Sequence, residues 1–264
     1  MIIFGFSRRC LFLYTLCLLC LTTVCMPHAV HGEVSRGKVP ILLYHRFGPV
    51  AADSMTTTTS VLQSHIEYLL SNGYRVIPLR QLVNFYLHKG PAPAPKSVVI
   101  TVDDGHKTVY TEMFPFVRKY RIPVTLFIYP SAISNASYAM TWEQLRELQN
   151  TGLFDIQGHT YWHPNFHHEK KKLSQAEYEK TVDMQLSKSK AKIEHELGTS
   201  IDMLAWPFGI FDDYLLSKAA QAGYVATFTI ESHGAGTSDT AMKLPRFLLN
   251  DKNRGRAFEW ILTN

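Results

Sequence analysis

The chain has 264 residues, 46% of them hydrophobic, and 27 basic against 22 acidic residues give it a formal net charge of +5. This length and apolar content fit one domain with a full core and argue against a disordered or fibrous protein. The mild positive charge lacks the lysine and arginine stripe of a nucleic-acid-binding protein, so nucleic acid is not an expected partner.

Residues 1–32 have the composition of an export signal. An arginine pair, Arg8-Arg9, precedes an apolar stretch from residue 10 to 25 that is too short and wrongly flanked for a membrane span. We therefore expect a signal peptide at 1–32 and a single domain at 33–264, in a periplasmic or extracellular monomer. The arginine pair also resembles a twin-arginine signal, so the export route stays open, as does attachment to a membrane surface.

All four cysteines of the chain lie inside this leading segment. The remaining domain therefore has no disulfide framework, no thiolate metal site and no cysteine nucleophile. Any metal must be held by His, Asp or Glu. Loss of residues 1–32 removes two arginines and no acid, which leaves a net charge of +3 (5 minus 2).

Strands and helices alternate along the rest of the chain. Strands are predicted at 39–45, 74–78, 97–102, 124–129, 154–159, 202–206, 224–230 and 244–249, and helices at 60–72, 79–89, 107–120, 142–149, 174–197 and 212–222. This alternation is typical of parallel βα units and predicts an α/β fold with a closed or nearly closed barrel. The charged helix at 174–197 is expected to lie outside and in solvent, and 164–172 to form an exposed loop.

Two adjacent carboxylates, Asp103 and Asp104, follow the apolar strand at 97–102, and Gly105 comes next. In barrels and open α/β sheets, catalytic and ligand-binding residues lie at the carboxyl ends of the strands. Burial of two adjacent carboxylates at this edge costs free energy unless a cation or a bound proton neutralises their charge. The plainer interpretation is one aspartate that caps the next helix beside a solvated neighbour.

Two histidines four residues apart, His159 and His163, follow another predicted strand. Together with one carboxylate they form a three-ligand set that leaves a coordination position for water, as catalytic metals require. His163 and His167 have the same spacing and offer a rival register. Pro164 and the lysine run at 170–172 favour the first pair, because they indicate an exposed loop.

Three motifs occur in order: Thr101–Gly105, His159–Pro164 and Trp206–Gly209. They resemble the first three motifs of the polysaccharide deacetylases, the NodB-homology or carbohydrate esterase 4 family. The resemblance covers nearly the whole domain. It implies a deformed (β/α)7-type barrel and metal-dependent removal of acetyl groups from polymeric sugars.

The resemblance also implies roles for individual residues. By position, Asp104, His159 and His163 would hold the metal, and Asp103 would be the general base. The backbone N–H at Phe208 would help to stabilise the oxyanion. Zinc is the expected ion, and cobalt, nickel or iron suit the same ligand set.

The chain departs from the family pattern in three places. Ala205 stands where the third motif usually has the arginine that orients the base, and Arg246 could supply that guanidinium or be a surface charge. No fourth Asp-x-x-Asp-Trp motif and no fifth Leu-x-His motif is visible, and the family's general acid is normally that last histidine. His45 is our candidate acid, because Tyr44-His45 resembles the opening of the biofilm poly-β-1,6-N-acetylglucosamine deacetylases. A hydrogen-bonded structural histidine is the alternative.

Aromatic residues beside these motifs could stack on sugar faces or belong to the core. Tyr44, Trp162 and Trp206 are the candidates for sugar contact. The sequence thus predicts an exported, metal-dependent hydrolase that removes N-acetyl groups from N-acetylglucosamine units of an extracellular or cell-wall polysaccharide. Two alternatives stay open: a carbohydrate-binding relative without turnover, and a metal hydrolase of small amides or esters.

Overall fold

A parallel β-sheet organises the protein, whose computed structural model describes residues 38–264. The expected export signal at 1–32 lies outside the described residues. Ten strands are present in the described part: β1 Ile41–Tyr44, β2 Arg46–Gly48, β3 Thr56–Thr58, β4 Arg75–Val76, β5 Ser97–Asp103, β6 Val124–Ile128, β7 Phe154–Gly158, β8 Met203–Ala205, β9 Ala226–Phe228 and β10 Phe247–Leu248.

Eight of these strands form one sheet in the order β10-β1-β5-β6-β7-β8-β9, with β4 paired to the start of β5, and every pairing is parallel. Strands β2 and β3 make a separate parallel pair. Leu244 pairs with Phe228 of β9, and Phe247 pairs with Leu42 of β1. The segment 244–248 therefore joins the two ends of the curled sheet. The sheet forms a half-barrel, and the predicted fold class, a deformed (β/α)7-type barrel, is confirmed.

Eight helices accompany the strands within residues 38–264: α1 Thr59–Ser71, α2 Leu79–Tyr86, α3 Phe114–Tyr120, α4 Trp142–Asn150, α5 Phe166–Lys172, α6 Gln175–Leu197, α7 Asp213–Gln221 and α8 Arg256–Thr263. Local chemistry fixes several of their first turns. Ser174 caps α6 and exchanges hydrogen bonds with Glu177 in a capping box. None of the helices in this part of the chain is both long and apolar enough to cross a membrane.

The two faces of the sheet are occupied by alternate residues of each strand, as the two-residue period requires. Along β5, Val98, Ile100 and Val102 belong to the large apolar cluster that includes buried residues of α1, α4 and α6. Val99 belongs to the second, smaller cluster on the opposite, inner face. Asp103 has the same parity as Val99, so its carboxylate lies on the inner face at the carboxyl edge.

Several predicted elements differ from the structure. Residues 166–172 form helix α5 where a loop was expected, because Asn165 caps them and Phe166 is anchored in the core. The helix predicted from 107 begins with a single π-helical turn, Val109–Met113. Helix α8, which the sequence analysis did not identify, buries Phe258 against the core. Helix α6 was expected in solvent, yet it carries a buried apolar stripe.

Candidate metal and catalytic site

The carboxylate pair lies where β5 ends, at the carboxyl edge of the sheet. Asp103 is the last residue of β5, and Asp104 follows with a left-handed φ of 75°. Such a backbone is uncommon outside glycine, although aspartate tolerates it better than most residues. Gly105 has a φ of 72°, and a Cβ there would come within 2.9 Å of Ile133 Cδ1. The sharp turn that presents both carboxylates therefore depends on glycine at this position.

The loop after β7 brings both predicted histidines to Asp104. Asp104 Oδ1 lies 3.7 Å from His159 Nε2 and 3.6 Å from His163 Nε2. One ligand atom from each of the three residues lies within 4.8 Å of the others. These separations are long for hydrogen bonds. Ligands of one tetrahedral zinc ion stand about 3.3 Å apart, so the donor set fits a metal with little adjustment.

A hydrogen bond fixes the ring of His159 in the form that a metal ligand needs. Its Nδ1 lies 2.7 Å from the carbonyl oxygen of Ala205, so Nδ1 carries the proton and donates it there. The lone pair of Nε2 then faces Asp104. Burial lowers the pKa of His159 to about 3, against the opposing charge of Asp103. The imidazole is therefore neutral, as coordination requires.

The other two members of the cluster also respond to burial. Burial lowers the pKa of His163, so its ring too favours the neutral form. The pKa of Asp104 is raised, first by burial and then by the charge of Asp103, against the charges of His45 and the arginines nearby. A half-buried carboxylate beside a second carboxylate is costly to ionise without a cation. The cluster therefore has the charge and ligand types of a cation site.

Arg246 holds Asp103 from the last strand segment. Its Nη1 and Nη2 donate to Oδ1 and Oδ2 of Asp103, each at 2.7 Å, and both side chains are buried. Its Nε donates to the carbonyl oxygen of Thr229 at 3.0 Å. Burial raises the pKa of Asp103, but the charge and hydrogen bonds of Arg246, together with smaller contributions from His159 and His45, outweigh it, and the pKa falls to about 2. Asp103 is therefore ionised and held in one orientation.

His45 lies directly after β1 and close to both carboxylates. Burial lowers its pKa, whereas the charges of Asp103 and Asp104 raise it. Its Nδ1 is buried and has no hydrogen-bond partner within residues 38–264. The structure thus brings the candidate acid to the edge where the candidate base lies, with one ring nitrogen uncommitted.

Phe208 lies in the short 3-10 turn after β8, with a φ of 57°. Its ring packs edge-on against His163 with the ring centroids 4.6 Å apart, and 55% of the residue is exposed. Gly209 follows, and any Cβ there would collide with Ile230. The turn that carries the predicted oxyanion donor is therefore in contact with the metal-ligand cluster.

Two of the three aromatic residues predicted to contact sugar are wrongly assigned. Tyr44 and Trp206 are fully buried. The hydroxyl of Tyr44 is hydrogen-bonded to His65 Nδ1 at 2.9 Å, and Trp206 packs edge-on against Phe166. Both belong to the large cluster on the helix-covered face, because they share parity with Leu42 and Leu204 of their strands. Trp162 is 45% exposed and stays a prediction.

A cavity of about 240 Å³ adjoins the ligand cluster, lined by Arg46, Asp104, His106, Tyr129 and Tyr138. The hydroxyls of Tyr129 and Tyr138 lie 2.8 Å apart, and the ring of His106 stacks on Tyr138. Of these lining residues, only Asp104 had been assigned a functional role from the sequence. Tyr129 follows the end of β6 in the same way that Asp104 follows the end of β5. This shared position at a strand end could have identified Tyr129 from the sequence.

Comparison with known proteins identifies the family to which the chain belongs. A sequence model of the family described as "Polysaccharide deacetylase" matches residues 90–227, just over half of the chain. The chain belongs to the polysaccharide deacetylase family. The matched region contains β5 to β8 and the start of β9, and with them the carboxylate pair and both histidines. The family resemblance read from the three motifs is thereby confirmed.

Relatives of this polysaccharide deacetylase share its sequence and fold to different degrees. The poly-beta-1,6-N-acetyl-D-glucosamine N-deacetylase of Staphylococcus aureus (strain MRSA252) is 28% identical over 212 residues, which are 78% of this chain and 71% of that protein. The Streptococcus pyogenes deacetylase PplD in complex with acetate superposes with a TM-score of 0.76 at 19% identity, covering 86% of this chain and 99% of that one. IcaB from Ammonifex degensii superposes with a TM-score of 0.75 at 21% identity, covering 86% and 97%. These two structures share the fold.

Proposed function

We propose that this polysaccharide deacetylase is metal-dependent and removes N-acetyl groups from N-acetylglucosamine units of an extracellular polysaccharide. The observation that carries the proposal is the juxtaposition of a three-ligand cluster with a buried, arginine-bound aspartate at one edge of the sheet. The name of the Staphylococcus aureus relative supports the choice of a poly-N-acetylglucosamine substrate.

The proposed metal ligands are Asp104, His159 and His163, with zinc as the expected ion. The fit rests on the neutral Nε2 of His159, which the hydrogen bond from its Nδ1 to Ala205 leaves free, and on a carboxylate oxygen within 3.7 Å of both rings. A bound divalent cation would polarise the acetyl carbonyl and make water more acidic. Cobalt, nickel and iron suit the same donors.

Asp103 is the proposed general base. Arg246 occupies both of its oxygens, so the carboxylate cannot rotate, and its Oδ2 lies 3.7 Å from His159 Nε2. An ionised carboxylate held beside the ligand cluster is placed to take a proton from the attacking water. His45, directly after the neighbouring strand β1, is the proposed acid for the departing amine, and the backbone N–H of Phe208 is the proposed donor to the oxyanion.

The cavity beside Asp104 is the proposed seat of the reacting sugar. Its volume of about 240 Å³ is below the roughly 300–1,000 Å³ of pockets that enclose drug-sized ligands. It would therefore take a single unit, with the rest of the polymer outside. The paired hydroxyls of Tyr129 and Tyr138 and the guanidinium of Arg46 offer hydrogen bonds to sugar hydroxyls, and Trp162 offers an exposed ring for stacking.

We also propose that residues 1–32 direct export and that the domain from 33 acts outside the cytoplasm. The basic start and apolar stretch of this segment support the proposal. Determination of the N-terminal sequence of the protein recovered outside the cytoplasm tests it. A mature protein that retains residues 1–32 inside the cell would contradict it.

The proposed activity is tested by acetate release from β-1,6-linked N-acetylglucosamine oligomers, with protein stripped of metal and then reloaded with zinc or cobalt. We expect release only after reloading, and more of it from oligomers than from the monosaccharide or from a small aryl acetate. Oligomer binding without acetate release under any of these ions would indicate a binding relative. Faster turnover of the small ester would indicate a small-substrate hydrolase.

A further inference from the structure

The loop that carries both histidines has an unusual backbone. It connects β7 to α5 and has no regular secondary structure between His159 and Pro164. Thr160 has a φ of 63° and His163 a φ of 61°, both in the left-handed region. For a β-branched residue such as threonine this conformation is a clear outlier, which persists only where surrounding contacts impose it.

Helix α6 supplies those contacts. Gln185 Oε1 accepts two hydrogen bonds, from the backbone N–H of Tyr161 at 2.9 Å and from that of Trp162 at 3.0 Å. One turn further along the helix, Ser189 Oγ donates to the carbonyl oxygen of Thr160 at 2.9 Å. Residues four apart on a helix share a face, so the two side chains act together on three successive loop residues.

Both side chains are fully buried, which makes these polar contacts costly to lose. The two N–H donors also settle which end of the Gln185 amide faces the loop, since a flipped NH2 group would point at two other donors. Its Nε2 is buried and has no hydrogen-bond partner in the part of the chain that the structure describes. Gln185 therefore binds the loop through its acceptor oxygen alone, and its NH2 group makes no hydrogen bond in the described structure.

We propose that Gln185 and Ser189 are positioning residues that hold the Thr160–Trp162 backbone so that His163 reaches Asp104. The inference rests on the proposed metal site, and it adds residues of a helix that the motifs do not include. Trp162 precedes His163 directly, and His163 Nε2 lies 3.6 Å from Asp104 Oδ1. If the loop were released from α6, His163 would lose its fixed position. His159 would keep its position, because its ring is held separately by the hydrogen bond to Ala205.

The test compares full-length variants in the metal-free state and in titrations with Co²⁺ and Zn²⁺. Gln185→Leu removes the acceptor at similar size, and Gln185→Glu keeps an acceptor, whose ionised form two backbone N–H groups stabilise. Ser189→Ala removes one bond and serves if Gln185→Leu does not fold. Ile193→Ala is the matched control, a buried residue of the same helix with no bond to the loop in the described structure.

We expect Gln185→Leu to weaken Co²⁺ and Zn²⁺ binding by about 10- to 100-fold, the usual effect of losing a group that orients a ligand. Amide hydrogen exchange in the peptide spanning 159–165 should also quicken in the metal-free variant. Ser189→Ala should show a smaller change in the same direction. Gln185→Glu and Ile193→Ala should bind metal about as tightly as the wild type, although Ile193→Ala loses stability.

Metal binding by Gln185→Leu at wild-type strength, or weakened no more than in Ile193→Ala, would overturn the inference and leave a purely structural role. A weakened Ser189→Ala with unchanged exchange in the loop would overturn it as well. Failure of the wild type to bind any of these ions would overturn the proposed metal function itself. The two failures are distinguishable because the first appears only in the variants.

Discussion

Arg246 and Asp103 form a bidentate ion pair in which neither side chain is accessible to solvent beyond 3%. The two residues are 143 positions apart in the chain: Asp103 ends β5, and Arg246 lies in the segment 244–248 that joins the two ends of the curled sheet. Ala205 occupies the position where the family motif usually places an arginine, so the guanidinium reaches the carboxylate from a different strand segment. The pair explains how Asp103 stays ionised although burial acts against it.

Substitution of Arg246 should impair both stability and catalysis. Arg246→Met leaves Asp103 buried and unpaired, and we expect it to lower the free energy of unfolding by about 3–5 kcal/mol. The double variant Arg246→Met with Asp103→Leu should recover most of that loss, because no buried charge is left without a partner. Denaturant unfolding of the three proteins measures this. Equal stability of wild type and Arg246→Met would contradict the account.

The conservative variant separates orientation from charge. Arg246→Lys keeps one positive charge but cannot bind both oxygens, and a base misplaced by about 1 Å can cost roughly 100-fold in rate. We therefore expect kcat to fall by about that factor with KM little changed. Steady-state acetate release measures both constants. An unchanged kcat would show that orientation by the planar guanidinium is not required.

Metal binding should stabilise the folded protein. An ion present at 100 times its dissociation constant adds about 2.7 kcal/mol if it binds only the native state. We expect zinc to raise Tm of the metal-free protein and a chelator to reverse the shift. His163→Ala should abolish most of the shift, whereas His168→Ala, on the exposed face of α5, should keep it. A full shift in His163→Ala would remove that residue from the ligand set.

His65 should contribute to a loss of stability below neutral pH. This histidine is buried against Phe258 and lies 2.5 Å, through Nε2, from the carbonyl oxygen of Asn253. Burial lowers its pKa from 6.5 to about 4. Between those values the unfolded chain binds a proton that the native protein does not, so stability is retained above pH 6.5 and lost as the pH falls towards 4.

The full effect of a shift of this size is about 3 kcal/mol. The free energy of unfolding, measured from pH 7 to pH 4.5, should decline less steeply in His65→Gln, which cannot take up the proton. Identical slopes in the two proteins would show that His65 does not contribute. Comparison of slopes cancels the constant loss of stability that the substitution itself causes.

The cavity wall should influence substrate binding more than chemistry. Tyr138→Ala removes an exposed ring that bonds Tyr129 and stacks on His106, and we expect KM to rise by about 2- to 10-fold with kcat nearly unchanged. Trp260→Ala removes an exposed ring of α8 that does not line the cavity, and it should leave both constants as they are. A matching rise in KM for Trp260→Ala would point to a different binding surface.

For two members of the candidate ligand cluster, strand position was enough to predict that they meet, whereas His163 was grouped with them through its spacing from His159 and the family resemblance. Asp104 and His159 follow β5 and β7, which flank β6 in a parallel sheet, so their side chains meet at one edge. The same period of two also accounts for an error. Tyr44 and Trp206 are next in sequence to His45 and Ala205, which lie at the candidate site, and adjacent residues of a strand face opposite sides of the sheet.

The contribution of α6 could not be predicted in the same way. Gln185 and Ser189 look like ordinary polar residues of a charged helix, and only the approach of a distant loop gives them partners. For a similar reason, the sequence could not decide whether Arg246 orients Asp103 or is a surface charge. Whether a charge at a strand end meets solvent or a carboxylate depends on closure of the sheet, which involves residues far apart in the chain.

The most direct test of the proposed mechanism is acetate release by metal-loaded wild type, Asp103→Asn and Asp155→Asn, measured side by side on β-1,6-linked N-acetylglucosamine oligomers. Asp155 is the matched control, an aspartate of β7 that pairs with Thr125 away from the ligand cluster. We predict that Asp155→Asn keeps wild-type release and that Asp103→Asn loses about 100- to 10,000-fold, the usual contribution of a general base. Release by Asp103→Asn at the wild-type rate would contradict the assignment of the base and the mechanism built on it.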